Sequence, residues 1–393
     1  MSDNTGGVLS YWNLKEFSPE LKPKSISEFP LYTDSHITGE LNDEIGPYKF
    51  LNMISGINGP GKICDAITLR VLWYVNDQSS YGLKTDTSKY HGGWVTDEIA
   101  ALVSLKLGIR VKAGEATRTY DSHSDGYFGT PRSTREKPPE VKIGSRGPIL
   151  PSVVKTVNIT DLNEIYSLSS LDEEQYVSLV RASRIYQEAL WVAESEPELA
   201  WLMLVSSLET AACQWSSDED TDVERLRASK PELAEMLFEV GGEILVEKVA
   251  NEIAHTLGAT SKFIKFCLNY FPAPPENRPD EWARVKWSKT GFRGVLNKIY
   301  DYRSAALHGG TPFPAPLCGP PDCVSMESGV AEKGVLALAA HTLGGSWKSE
   351  DLPISMNAFQ IFVNGVLNNW WRSLIEKKAN KSSKQGTLTC AHS

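Results

Sequence analysis

Ile299-Tyr300-Asp301-Tyr302-Arg303-Ser304-Ala305-Ala306-Leu307-His308-Gly309-Gly310 reads as the end of a long helix that stops on a glycine pair. The stretch carries its chemistry at that end. Arginine brings a permanent positive charge with planar donors suited to phosphate, and histidine can take or give a proton near neutral pH. Five positions apart, the two side chains stand roughly 140° from each other around a regular helix. They converge only at a helix end or across a partner.

Outward from this end, residues 282–307 form a helical stretch in which Val295, Leu296, Ile299, Tyr302, Ala306 and Leu307 can pack on a bundle while Arg303 faces elsewhere. The same stretch is basic. Arg284, Lys286, Lys289, Arg293, Lys298 and Arg303 are opposed only by Glu281 and Asp301. Upstream, Phe271-Pro272-Ala273-Pro274-Pro275 is a hard break, preceded by helical spacing over 231–257 and 261–270 and by an acidic loop at 218–222. Residues 171–190 open with acidic residues and keep one apolar face through Tyr176, Leu179, Val180, Tyr186 and Leu190. Pro197 ends that pattern, and 198–211 is more thoroughly apolar, as a helix buried among others must be, with Glu209 its lone interior carboxylate. Downstream, 327–341 and 355–378 read as two further helices, and the polar tail 379–393 reads as disordered. The periodicity therefore predicts an all-α bundle over residues 160–378.

The Arg-x4-His spacing at the end of a bundle helix, with tyrosine before the arginine and His-Gly after it, resembles the signature of the HEPN superfamily and its Apea-like branch. Glu209, in Ser207-Leu208-Glu209-Thr210, is similar to that pattern too. The resemblance covers residues 160–378. It implies a homodimer in which two copies of the motif line one cleft and cut RNA without a metal or other cofactor. Arg303 and His308 are then the catalytic pair, with Ser304, Asp301 and Glu209 supporting them and Arg284, Lys286, Lys289, Arg293 and Lys298 holding the RNA backbone. Ser304 departs from the family, whose active members often carry Asn, Asp or His there. A catalytically inactive dimerisation or binding module, with Arg303 paired to Asp301 or Glu209 and His308 at a helix cap, is the other reading. A satisfied core carboxylate is the simpler role for Glu209.

The amino-terminal half has a different period. Residues 1–46 read as an extended lead-in, whereas 48–54 and 67–75 are rich in β-branched and aromatic residues and read as strands, with helix open for the second. Between them, Gly56-Ile57-Asn58-Gly59-Pro60-Gly61-Lys62-Ile63 matches the Gly-x4-Gly-Lys part of a phosphate loop. Ile63 stands where a magnesium-binding hydroxyl belongs, so a Gly/Pro turn is the better reading and an NTP-dependent switch the weaker one. Residues 96–107 form a helix closed by Gly108. From 117 to 151 the chain is rich in Gly, Pro and Ser and interleaves Arg118, Tyr120, Tyr127, Phe128, Arg132, Arg135, Lys142 and Arg146, which suits either RNA stacking or a surface linker. The linker is the plainer reading. The expected class is α+β, with a mixed α/β domain over 47–150 followed by the bundle.

Whole-chain composition constrains the partners. At 393 residues, 41% hydrophobic and 23% charged, the chain has the make-up of an ordinary globular protein of two domains. No apolar run reaches the ~18 residues of a membrane span and the amino terminus is no signal peptide, so a cytoplasmic protein without membrane attachment is expected. A net charge of −9 argues against nonspecific coating of nucleic acid but leaves room for a local basic cleft. Among the six cysteines only Cys318 and Cys323 lie close together, and one such pair is read as a reduced loop pair with no structural metal. His255, near an expected helix end, is read as a capping or core-edge residue. An active RNase of this kind needs restraint in its host, which by family analogy suggests a toxin or anti-phage role with a restraining partner or a phage-derived trigger.

Overall fold

The computed structural model describes residues 8–42, 45–53, 59–75, 85–121, 128–133, 136–215, 221–253, 258–325, 329–342 and 344–389. It contains both helices and strands, in an α+β arrangement.

After helix α1 (Leu9–Lys15), strand β1 (Ser25–Thr33) runs through the middle of an antiparallel sheet. Residues expected in an extended lead-in thus form a central strand. Short strand β2 (His36–Thr38) leaves this sheet, and β3 (Tyr48–Asn52) pairs with β4 (Cys64–Trp73), which in turn pairs along the length of β1. Ile67, Leu69 and Val71 point alternately into the core, the period-2 pattern of a half-covered sheet, so strand rather than helix is settled for this stretch. On the other edge of β1 lie β5 (Lys112–Ala113) and β6 (Arg118–Asp121), and β7 (Thr130–Pro131) pairs with β6. Pro30 is what hides β1 in the sequence, since proline lacks a ladder donor. It falls between residues 25–28, which face β6, and 31–32, which face β5.

Helix α2 (Val95–Leu107) lies between this sheet and the helices that follow. Nearly every side chain along it is buried, and Gly108, at φ 63°, ends it in the left-handed backbone that glycine adopts without strain. After β8 (Thr156–Asn158), which pairs in parallel with β2, come α3 (Glu164–Ser167), α4 (Glu173–Val192) and α5 (Pro197–Gln214). Asp172 accepts from Gln175 N at 2.9 Å and so caps α4. Helices α6 (Asp222–Ser229) and α7 (Pro231–Ile253) stand aside as a pair with a small core of Leu226, Ala234, Val246 and Ala250. Then follow α8 (Ala259–Asn269), α9 (Lys289–Gly309) and α10 (Met356–Thr389).

One hydrophobic cluster runs from Val8 to Leu374. Asn364 and Asn368 of α10 both donate to the Leu105 carbonyl of α2, at 2.6 and 3.0 Å, and Trp201 of α5 stacks on Phe313 with ring centroids 5.4 Å apart. The change of period near Asp161 therefore marks a change of element type inside a shared core, because the apolar α2 needs cover on both faces.

Three other stretches depart from expectation. The helix expected from 282 begins only at Lys289, after a 3-10 turn at Glu281–Ala283 and a non-helical segment that holds Arg284 and Lys286. The helix expected over 327–341 is replaced by β9 (Cys323–Ser325) with β10 (Gly329–Val330) and β11 (Ala339–Thr342) with β12 (Gly345–Lys348). Gly329 takes positive φ, 72°, which interrupts the helical run at its start, and Gly344, at φ 80°, lies in the turn between β11 and β12. Conversely, α10 continues to Thr389, into the stretch expected as a disordered tail, where Lys, Ala and Gln favour helix. The last four residues lie outside the described ones. Among the described residues no helix is long and apolar enough to cross a membrane.

Candidate functional site at the end of helix α9

The apolar side of α9, through Phe292, Val295, Leu296, Ile299 and Tyr300, fixes the helix on the core. Its last turn ends at Gly310, φ 64°, whose N–H bonds back to the Ala305 carbonyl. His308 is thereby held at an exposed helix end, next to Leu307, which is 50% exposed.

Arg303 lies on the flank that meets α5. Its Nη2 donates to Glu209 Oε2 at 2.8 Å, with the two side chains about equally half-buried. Tyr300, one turn earlier, donates its hydroxyl to the other carboxylate oxygen at 3.0 Å, and the Arg303 guanidinium carbon sits 5.5 Å from its ring centroid. Burial, with Glu209 second, pushes the Tyr300 phenol up, so it stays a donor. Arg303 Nε is buried without a partner. Glu209 thus orients the arginine from a neighbouring helix; Asp301, the other expected partner, is exposed on a different side of α9.

Of the residues expected to hold RNA, Lys286, Lys289 and Arg293 are exposed. Arg284 is exposed but ties its Nε to the Pro279 carbonyl. Lys298 is bound to Asp351 at 2.8 Å in a partly exposed pair, and that hydrogen bond raises its pKa. Ser304 is half-buried beside Arg303. Within one copy Arg303 and His308 diverge around the helix, as their spacing requires. Tyr300 was missed in the sequence, although its place three residues before Arg303 is the signal that two helix neighbours share a partner.

The near-miss phosphate loop is described only from Gly59 onward. Lys62 N closes a turn onto the Gly59 carbonyl at 2.9 Å, Gly61 N donates to the Asp34 carboxylate at 3.1 Å, and the strand β4 follows. That is the Gly/Pro turn, with a carboxylate already on the amide a phosphate would use. Gly56, Tyr127, Arg135, His255 and the acidic residues 218–220 lie outside the described residues. Arg118 bonds the Phe128 carbonyl, and Arg132 reaches Thr119 at 3.0 Å, so these two brace the β6–β7 hairpin.

A second arginine group was not anticipated. Arg110, fully buried after α2, donates to Asp34 and to Glu194, each at 2.8 Å, and to the Leu190 carbonyl at 2.9 Å. Glu194 also accepts from Ile149 N at 2.9 Å. Among the described residues no group of three or more His, Cys, Asp or Glu side chains could hold a metal ion.

No family model matches the chain, and neither does any curated protein or solved structure.

Proposed function

We propose that the chain is a metal-independent endoribonuclease of HEPN type that works as a homodimer, in a toxin or anti-phage role. The observation that carries this reading is the contrast at the end of α9: an exposed His308 on the same helix as an arginine whose guanidinium is already oriented by Glu209. A side chain held by a neighbouring helix costs little further ordering when it meets a phosphate.

The chemistry follows from those groups. His308 of one copy removes the proton from a ribose 2′-hydroxyl, and the 2′-oxygen forms a bond to the adjacent phosphorus. Arg303 steadies the charge that gathers on the phosphoryl oxygens. The bond from phosphorus to the 5′-oxygen breaks, and the protonated histidine of the second copy gives that oxygen its proton. A 2′,3′-cyclic phosphate and a 5′-hydroxyl result. Two copies are needed because one helix cannot bring both side chains to a single phosphate.

A second reading has an observation in its favour. The Glu209 pair occupies Nη2 and burial turns Nε away from solvent, so part of the Arg303 fork is out of a ligand's reach, which suits an inactive module that binds RNA or protein. Incubating the full chain with single-stranded RNA in excess EDTA and analysing the product ends separates the two. Cyclic phosphate ends support the nuclease; intact RNA under every condition, with binding retained, supports the module.

A further inference from the structure

Beside the amino-terminal end of α9, a cavity of about 600 Å³ opens between the segment before that helix, the β10 region and the start of α10. Its lining sets donors beside two carboxylates, Glu276 and Glu332. Arg278 is clamped by both oxygens of Glu332, at 2.7 and 2.6 Å, through Nε and Nη2, and no hydrogen bond among the described residues uses its Nη1. Glu332 also accepts from Val285 N at 2.8 Å, which fixes the carboxylate. Arg284 spends only Nε on the Pro279 carbonyl. Asn357 is 5% exposed, and its Oδ1 accepts from Ser152 N at 3.0 Å, which fixes the amide with Nδ2 as the donor left over. Trp287, braced by its Nε1 bond to the Pro272 carbonyl at 3.1 Å, adds an aromatic wall.

An amide on a mostly buried asparagine, two incompletely used guanidinium groups and an indole suit a flat, acceptor-rich, anionic ligand. A nucleotide has that chemistry: carbonyl and ring-nitrogen acceptors on a base, and a phosphate. The path away from the cavity fits the same ligand class. At about 100° per residue, Lys289, Arg293, Asn297, Ser304 and His308 fall within an arc of about 100°, a line about 29 Å long from the cavity end of α9 to its far end, interrupted at Tyr300, which lies in the same arc and is buried. Lys289, Arg293, Asn297 and His308 on that line are exposed.

We propose that this cavity takes one unstacked nucleotide of a single-stranded RNA whose backbone runs along that line of α9 to His308. The proposal rests on the ribonuclease reading and adds to it a specificity subsite far from the cut. Unstacked bases recognised in pockets are the usual means by which proteins read single-stranded RNA, and each contributes measurably to affinity.

The test uses the full chain carrying His308→Ala, so that bound RNA survives, with fluorescent single-stranded RNA of about twelve nucleotides and the same RNA carrying 4-thiouridine for photocrosslinking. Adding Asn357→Leu, which removes the donor without changing charge, should weaken binding about tenfold. Arg284→Ala should do the same, with thermal melting showing that the exposed change leaves the fold intact. Crosslinks should map to residues 275–287. Unchanged affinity in both variants with crosslinks elsewhere overturns the subsite, and leaves the nuclease standing if wild-type chain still cuts RNA. Uridine monophosphate that competes with the crosslink at 275–287, in a chain that never cuts RNA, retains the subsite and removes the nuclease reading.

Discussion

Two arginines in this molecule meet carboxylates at the same distance and in opposite surroundings. Arg110 is fully buried with Asp34 and Glu194, at 0%, 0% and 3% side-chain exposure, whereas Arg303 and Glu209 are 20% and 21% exposed. The first group joins the β1–β2 turn, the chain after α2, residues 149–150 and the end of α4. Its guanidinium has no face left for a ligand. The second has one carboxylate partner, an aromatic face and a route to solvent. Pairing alone does not separate a structural arginine from one that can meet a substrate; the remaining donors and the exposure do.

Breaking the first group should therefore cost stability. Arg110→Met leaves two buried carboxylates without their counter-charge, and stability measured by urea unfolding should fall by about 3–5 kcal/mol. A loss below about 1 kcal/mol would show that water reaches the triad. In the same spirit, residues 160–378 expressed alone should fail to give a cooperative melt, because α4 and α10 lose the α2 face they cover. A cooperative melt of that fragment would restore an independent bundle.

Breaking the second should cost function. Arg303→Ala should lower RNA cleavage by about 10²–10⁴-fold, the range for loss of a group that stabilises transition-state charge. Its stability cost should stay within about 1–3 kcal/mol, the cost of leaving Glu209 and Tyr300 one partner short. Arg303→Lys should restore little activity, since an ammonium cannot serve Glu209 and a phosphate through one planar fork. Glu209→Gln keeps a hydrogen-bonding shape but removes the orienting charge, and should change stability by about 0.5–1.5 kcal/mol. A variant Glu209→Gln with wild-type cleavage would mean that the carboxylate does not position Arg303.

The smallest effect concerns the two cysteines at the start of the strand-rich insert. Burial, with Glu198 adding to it, pushes the Cys318 thiol up to about 12, whereas Cys323 is exposed. Thiolate is the reactive form, so at pH 8 Cys318 should react with a maleimide at least about 100-fold more slowly than Cys323. Comparable rates, read by mass spectrometry, would place Cys318 in contact with solvent.

How much of this was legible in the sequence follows the range of the interactions. Helices α4, α5, α8 and α9 and the Gly108 stop are written in local periodicity and breakers, which need no knowledge of the rest of the chain. Strand β1 was not, because Pro30 is tolerable only where its neighbours leave a gap, a fact of the sheet rather than the segment. The strand pairs at 323–348 were hidden by an alanine- and leucine-rich run, at whose start Gly329 takes positive φ. At the candidate site the motif was visible as spacing, and Glu209 as an odd carboxylate in an apolar helix. The role of Tyr300, the pairing of Lys298 with Asp351 and the Arg110 triad depend on contacts between distant segments, and a single sequence carries no local sign of them.

The two arginines differ in role only if the exposed end of α9 does chemistry. The most direct measurement is the single-turnover cleavage of one RNA, in excess EDTA, by wild-type chain and by His308→Ala. The expected result is 2′,3′-cyclic phosphate ends from wild type and a rate at least about 100-fold lower from the variant, with unchanged melting. Equal rates from the two proteins would contradict the account.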